Sequence, residues 1–174
     1  MTTSVAPKRG EAADYYFTYI DKVPAGDICR TLEAQAAETL ALLRSISDER
    51  SLYRYAPGKW SIREAIGHVN DTERLFVFRA LWFARGFDTP LPIFDQGVAV
   101  AAARADDRSW AGLVEEFAAV RAATLAFFQS LSGDDWARRG VASGNPFTVR
   151  ALAYIAAGHV AHHNTILREH YLKG

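Results

Sequence analysis

The sequence has little cysteine and no surplus of charge of either sign. Cys29 is the only cysteine in 174 residues, so an intramolecular disulfide is impossible and a cysteine-rich zinc cluster is excluded. Twenty basic residues are balanced by twenty acidic ones, which leaves no long-range field to attract nucleic acid or an anionic membrane. We therefore expect neither partner, and any metal must be held by His, Asp or Glu side chains.

Long apolar runs are also missing. The N-terminus, MTTSVAPKRGEAADYY, has no apolar segment of signal-peptide length, and charge interrupts every later apolar stretch before it could span a bilayer. This pattern predicts a cytoplasmic protein. The length is that of one ordinary domain, and 49% hydrophobic residues suffice for a buried core. Residues 1–174 are therefore predicted to form a single domain.

What the sequence does contain is helical periodicity. Apolar residues recur at helical spacing without the sustained alternation of a half-buried strand. The pattern predicts an all-α fold with four long helices, at about 27–47, 61–86, 109–132 and 148–172. The long connection over about 86–106 should carry a short helix near 96–103 and contribute to a site. Residues 1–24, which are rich in aromatic side chains, should form an arm that packs across the bundle.

Histidines suggest a metal site. His159 and His163 are four residues apart, so on a helix both rings project from one face, about 6 Å apart, and can reach one ion. Taken alone, this spacing more often belongs to a pair of hydrogen-bonded core or surface histidines. His68 stands near the apolar edge of the second helix, where a lone histidine is usually a satisfied core residue. The three together favour a shared ion, because their positions can converge inside a bundle.

The same residues argue against a zinc protease. The segment HVAHH lacks the glutamate that follows the first histidine of a HExxH motif and acts as its general base. Three neutral imidazoles would leave one or two coordination positions for water or substrate, as at a catalytic metal. His170 is too far along the helix for the same ion and suits the role of a cation near a helix C-terminus.

Two segments resemble the DinB-like superfamily of metal-binding four-helix bundles. They are YAPGKWSIREAIGHVNDTERLFVFRALWFARG and AYIAAGHVAHHNTILREHYL, and the likeness extends over nearly the whole chain. The resemblance implies a four-helix bundle in which His68, His159 and His163 bind one divalent ion, usually zinc or nickel. It also implies a homodimer, and characterised relatives include transferases that use a small thiol such as bacillithiol or mycothiol.

Five further residues are candidates for the surroundings of the ion. Asp71 and Thr72 follow His68 by one turn and could orient its ring or a bound water, although such residues are more commonly solvated. Arg79 could receive an anionic substrate or the carboxylate of a thiol cofactor, or pair with a neighbouring carboxylate. Trp60 could line the pocket or simply plug the end of the bundle. His162 is expected to flank the site.

Three functions remain open from the sequence. The first is a metal-dependent enzyme that transfers a small thiol to an electrophilic small molecule. The second is a metal-dependent hydrolase of a small substrate, which would use the open coordination position to activate water. The third is a non-catalytic metal-binding stress-response bundle. An enzyme should have an accessible cleft beside the ion, whereas the non-catalytic bundle should have a sealed site.

Overall fold

The computed structural model describes residues 5–173 and is mostly helical. Its α-helices are α1 (Phe17–Ile20), α2 (Ile28–Arg44), α3 (Ile62–Ala84), α4 (Gln96–Ala103), α5 (Trp110–Gln129) and α6 (Val149–Ile166). The predicted all-α four-helix class is confirmed, with α2, α3, α5 and α6 as the bundle. Helix α6 ends earlier than expected, because residues 167–171 form a π-helical turn. Residues 1–4 of the predicted arm lie outside the described residues.

Each bundle helix begins at a side-chain cap. Asp27, Ser61, Ser109 and Thr148 accept hydrogen bonds from backbone N–H groups in the first turns of α2, α3, α5 and α6. At α3 the Glu64 side chain also accepts from the backbone of Ser61, which completes a capping box. These contacts satisfy N–H groups that have no partner within the helix. The helix starts are therefore encoded locally.

The helices do not neighbour one another in chain order. Helices α2 and α3 each pack against both α5 and α6. Two clusters of buried apolar side chains fill the bundle, and both include residues of α3 and α6. Within the described residues, no helix combines the length and hydropathy needed to span a membrane. The packing of α3 on α6 sets the geometry of the site described below.

A short β-hairpin precedes α6 and was not predicted. Its antiparallel strands are β1 (Arg139–Ala142) and β2 (Asn145–Thr148). Ser143 and Gly144 connect the strands with φ of 51° and 72°, the positive values that a tight two-residue hairpin turn requires. Isolated bridges join Ala12 to Phe147 and Leu91 to Ala142. The hairpin thus links the N-terminal segment and the α3–α4 connection at one end of the bundle.

The N-terminal segment lies directly on α6. Phe17 and Ile20 of α1 are buried in the core. The backbone oxygen of Tyr19 lies so close to Gly158 that an ideal Cβ on that glycine would be 2.1 Å away. Glycine is required here because the two backbones are in contact.

A buried ion pair crosses the middle of the bundle. The Arg121 guanidinium donates to both carboxylate oxygens of Glu73, at 2.8 and 2.9 Å. Nη1 of Arg121 also donates to the backbone oxygen of Leu32. The pair thus connects α5 to α3 and α2 with its charges compensated.

Candidate metal centre

Three histidines from two helices meet at the α3–α6 interface. His68 lies on α3, and His159 and His163 lie one turn apart on α6. One ring nitrogen from each lies within 4.8 Å of the other two, and the Nε2 atoms of His68 and His159 are 3.2 Å apart. All three side chains are at least nine-tenths buried. The packing of α3 on α6 brings together donors that are 91 residues apart in sequence.

Thr72 fixes the orientation of His159. Its hydroxyl donates to the backbone oxygen of His68 at 2.7 Å, so it can accept a hydrogen bond from Nδ1 of His159 at 3.3 Å. This arrangement assigns the proton of the neutral imidazole to Nδ1. The lone pair of Nε2 on His159 then faces His68. An orienting partner on the second ring nitrogen is a common feature of metal-binding histidines.

The surroundings hold all three imidazoles neutral. Burial lowers the pKa of His68 to about 4 and that of His163 to about 3. Burial, with the neighbouring histidines adding to the effect, puts the pKa of His159 well below its ordinary value. Neutral imidazole has the free lone pair that a metal needs, whereas imidazolium has none.

The donor set fits a divalent transition-metal ion. Two imidazole nitrogens bound tetrahedrally at ordinary zinc distances are about 3.3 Å apart, close to the 3.2 Å between Nε2 of His68 and His159. A cluster of neutral nitrogen donors suits zinc or nickel and does not suit calcium or magnesium, which prefer oxygen ligands. His68, His159 and His163 are the residues that would hold such an ion.

An open pocket of about 380 Å³ lies beside the three histidines. Its wall is largely aromatic. The lining residues come from the N-terminal segment, the segment before α3, α3, α4, α6 and the turn that follows α6: Tyr15, Tyr19, Tyr55, Gly58, Lys59, Trp60, Ala65, His68, Gln96, His159, His162, His163, Ile166 and Tyr171. No Asp or Glu is present among the described residues that line it. The pocket is therefore accessible to a small molecule but has no carboxylate to act as a base.

The structure separates the five neighbouring candidates. The Trp60 ring lies 4.9 Å from that of His68, and His162 lies at the pocket edge, 5.5 Å from the Tyr19 ring. Thr72 contacts the ring of His159 and not, as expected, that of His68. Asp71 lies on the half-exposed outer face and pairs with Arg74 at 3.4 Å instead of orienting His68. Arg79 is buried next to the hairpin. His170 lies outside the cluster, stacked on Tyr55.

Several pocket residues were not named as candidates from the sequence. The Tyr19 ring packs edge-on against His159, with centroids 5.3 Å apart, and Tyr15 donates to or accepts from the Tyr19 hydroxyl. Gln96 comes from the first turn of α4, and Tyr55 and Tyr171 also line the pocket. The aromatic content of the N-terminal segment predicted that it would pack on the bundle. The structure places this segment beside the histidines, with the backbone of Tyr19 in contact with Gly158.

Comparisons with known proteins identify a family and two similar structures. The DinB superfamily matches residues 31–167. The fold is similar to that of YfiT from Bacillus subtilis, which is described as a probable metal-dependent hydrolase with an unusual four-helix bundle topology. The two chains are 15% identical, the alignment covers 93% of this chain and 91% of YfiT, and the TM-score is 0.68. It is also similar to that of a mycothiol-dependent maleylpyruvate isomerase. Here the identity is 14%, the alignment covers 83% of this chain and 61% of the isomerase, and the TM-score is 0.69. No curated protein sequence matches the chain.

Proposed function

This chain belongs to the DinB superfamily, and from that premise we propose that His68, His159 and His163 bind one divalent ion, zinc or nickel, in a metal-dependent enzyme. The observation that carries the proposal is the convergence of three buried neutral imidazoles beside an open pocket. When bound, the ion supplies a Lewis acid that lowers the pKa of a coordinated water or thiol. A sealed cluster would have suited a purely structural ion; the open pocket favours catalysis.

We propose transfer of a small thiol to an electrophilic small molecule as the reaction. Hydrolysis ordinarily uses a positioned acid or base, and among the described residues that line the pocket none is Asp or Glu. His162 at the pocket edge is the remaining imidazole available for that role. A thiol needs less help, because its ordinary pKa of about 8.5 is already far below that of water. The similarity to a mycothiol-dependent isomerase supports this choice.

The chain's own residues provide the surroundings of the reaction. Thr72 holds the ring of His159 in the tautomer that presents Nε2. The rings of Trp60 and Tyr19 pack against His68 and His159 and keep bulk water from the inner side of the cluster. Where these rings displace water, electrostatic interactions are strengthened.

Hydrolysis is the second candidate, because the similar protein YfiT is described as a probable metal-dependent hydrolase. Both reactions are tested with one screen. Zinc- or nickel-loaded protein is incubated with bacillithiol, mycothiol, glutathione or coenzyme A and an electrophilic acceptor, and thiol loss is measured. Parallel samples contain small esters and amides without thiol. Thiol loss that depends on the protein supports transfer, and ester or amide cleavage alone supports hydrolysis. The absence of both activities would favour the non-catalytic bundle.

Metal binding is tested separately. Replacing His68, His159 and His163 together by Ala should abolish the one equivalent of zinc that inductively coupled plasma mass spectrometry is expected to find in the wild-type protein. The matched control is His170→Ala, which removes a histidine outside the cluster and should keep the full equivalent. A triple variant that still binds one ion tightly would refute the assignment.

We further propose that the chain forms one DinB-like domain and assembles as a homodimer. The single domain is supported by α3 and α6, which contribute to both core clusters. The dimer is supported by an apolar groove between α3 and α5, where Phe78 and Leu81 are 48% and 38% exposed. Sedimentation velocity measures the mass directly, and Phe78→Glu should produce monomers if this groove is the interface.

A further inference from the structure

One buried arginine has no carboxylate partner. Three arginines are at most 5% exposed: Arg63, Arg79 and Arg121. Arg63 pairs with Asp48 at 2.8 Å and Arg121 pairs with Glu73 at 2.8 Å. Arg79 is 2% exposed, yet within residues 5–173 it forms no ion pair with an Asp or Glu. Among the described residues, no carboxylate neutralises this buried charge.

The Arg79 guanidinium is held but not saturated. Its Nη2 donates to the Ser143 hydroxyl at 2.7 Å, whereas its buried Nε has no hydrogen-bond partner in the described chain. Ser143 occupies the hairpin turn with φ of 51°, an unfavourable conformation for a residue other than glycine. A buried donor left unpaired and a charge left uncompensated both cost folding free energy. Arginine cannot avoid this cost by losing its proton.

A cavity joins this guanidinium to the three-histidine cluster. Its volume is about 130 Å³, and its wall includes Arg79 and Ser143 at one end and His68 and His159 at the other. Arg79 follows His68 by eleven residues on α3, a rise of about 16 Å. Side chains on a helix lean towards its N-terminus, so the Arg79 side chain leans towards the histidines. A single small molecule can therefore contact both groups.

The cavity favours a singly charged group. Among its described lining residues, Arg79 is the only Lys or Arg, and the remainder are aromatic, apolar or neutral polar side chains. A carboxylate carries one charge and presents two oxygens to the N–H groups of a guanidinium. A phosphate would bring up to two charges to a site with one cation. Burial lowers the pKa of Arg79, and the neighbouring Tyr16 hydroxyl opposes this shift without reversing it.

We propose that Arg79, positioned by Ser143, binds the carboxylate of an elongated small-molecule substrate whose reactive group lies at His68, His159 and His163. The reactive end of this inference rests on the proposed function. The anion subsite does not, because it requires only the guanidinium and the cavity. The substrate class is thus a small carboxylic acid with an electrophilic or cleavable group several bonds from the carboxylate.

The test compares hexanoate with hexanamide on metal-free wild-type protein. The two probes have similar shape, but only hexanoate carries a charge. We expect hexanoate to bind at least tenfold more tightly in calorimetry, and the Nε–H proton of Arg79 to move downfield in a ¹H–¹⁵N spectrum as it gains a hydrogen bond. Equal affinities, or an unchanged Nε–H resonance at saturation, would overturn the proposal without any variant.

Variants then assign the site. Arg79→Met should reduce hexanoate affinity at least tenfold and leave hexanamide unaffected, whereas Arg74→Met, which removes a half-exposed cation from the same helix, should leave both unchanged. Arg79→Lys keeps the charge without the fork and should show an intermediate loss. Ser143→Gly removes the hydroxyl at a φ that glycine tolerates and should weaken hexanoate binding several-fold. Wild-type affinity for hexanoate in a folded Arg79→Met protein would exclude this subsite.

Two further readouts separate this inference from the proposed function. A purely structural arginine predicts a lower Tm for Arg79→Met, whereas an unpaired charge retained for ligand binding predicts an unchanged or higher Tm. Zinc content of Arg79→Met should equal that of wild type. Selective hexanoate binding by a protein that binds no zinc when zinc is supplied would refute the metal enzyme and keep the subsite. Zinc binding without hexanoate selectivity would refute the subsite and keep the metal enzyme.

Discussion

Replacing Gly158 by Ala should force α1 away from α6. An ideal Cβ at this position would lie 2.1 Å from the backbone oxygen of Tyr19 and 2.5 Å from its carbonyl carbon. Because the obstructing atoms belong to the backbone, a side-chain rotation cannot relieve the overlap. Helix α1 must move by at least about 1 Å before these atoms reach van der Waals contact. The Tyr19 ring, which packs on His159, would move with it.

Two opposing terms set the size of the effect. Alanine is favoured over glycine inside a helix by about 1 kcal/mol. Full detachment would expose Phe17 and Ile20, now 4% and 3% exposed, at a cost of about 3–6 kcal/mol. A local shift costs less, about 3 kcal/mol at the upper end of the range for overpacked cores. The local shift is the less costly response, so the free energy of unfolding should fall by about 2 kcal/mol in total.

Urea unfolding and hydrogen exchange measure the two parts of this prediction. The free energy of unfolding should fall by the amount above, and the amides of residues 17–20 should exchange faster. Gly133→Ala is the matched control, because a Cβ there meets no atom within 4 Å; it should change stability by less than about 0.5 kcal/mol. A Gly158→Ala protein as stable as wild type, with residues 17–20 equally protected, would show that α1 does not pack there.

Three other substitutions test the fold by urea unfolding. The first substitution is at Glu11. Burial raises the pKa of this carboxyl, but hydrogen bonds from Arg150 and other donors lower it by more, so the pKa lies below its ordinary value. The ionised form therefore stabilises the fold above about pH 4.5, and this contribution is lost on acidification. Glu11→Gln should make the free energy of unfolding depend less on pH in the acid range. An unchanged dependence would contradict this. Glu73→Gln leaves Arg121 buried without its counter-charge and should cost about 3–5 kcal/mol; a double change of the pair to Leu and Met should recover most of it. Ser61→Ala removes the N-cap of α3 and should cost about 1 kcal/mol, so an effect near zero would discount the capping box.

The helices could be predicted because their signals are local. Ser61 and Thr148 mark the starts of α3 and α6, and Gly86, with φ of 82°, follows the end of α3. The short helix over 96–103 was likewise predicted with its observed bounds. Each of these features depends on residues within a turn or two of one another. The hairpin was missed because its strands have four residues each, too few for an alternation to stand out.

The amino-acid sequence by itself determined the helices and their caps, and it placed His159 and His163 on one face of a helix. These features depend on contacts between near neighbours in the chain. Only the tertiary structure decided that α3 packs on α6 and brings His68 to the pair. It also decided that Tyr19 forms a wall of the pocket and that Arg79 is buried without a carboxylate partner in the part of the chain that the structure describes. Those outcomes depend on which distant side chains exclude water from one another, and helical periodicity records which face of a helix is buried but not what buries it.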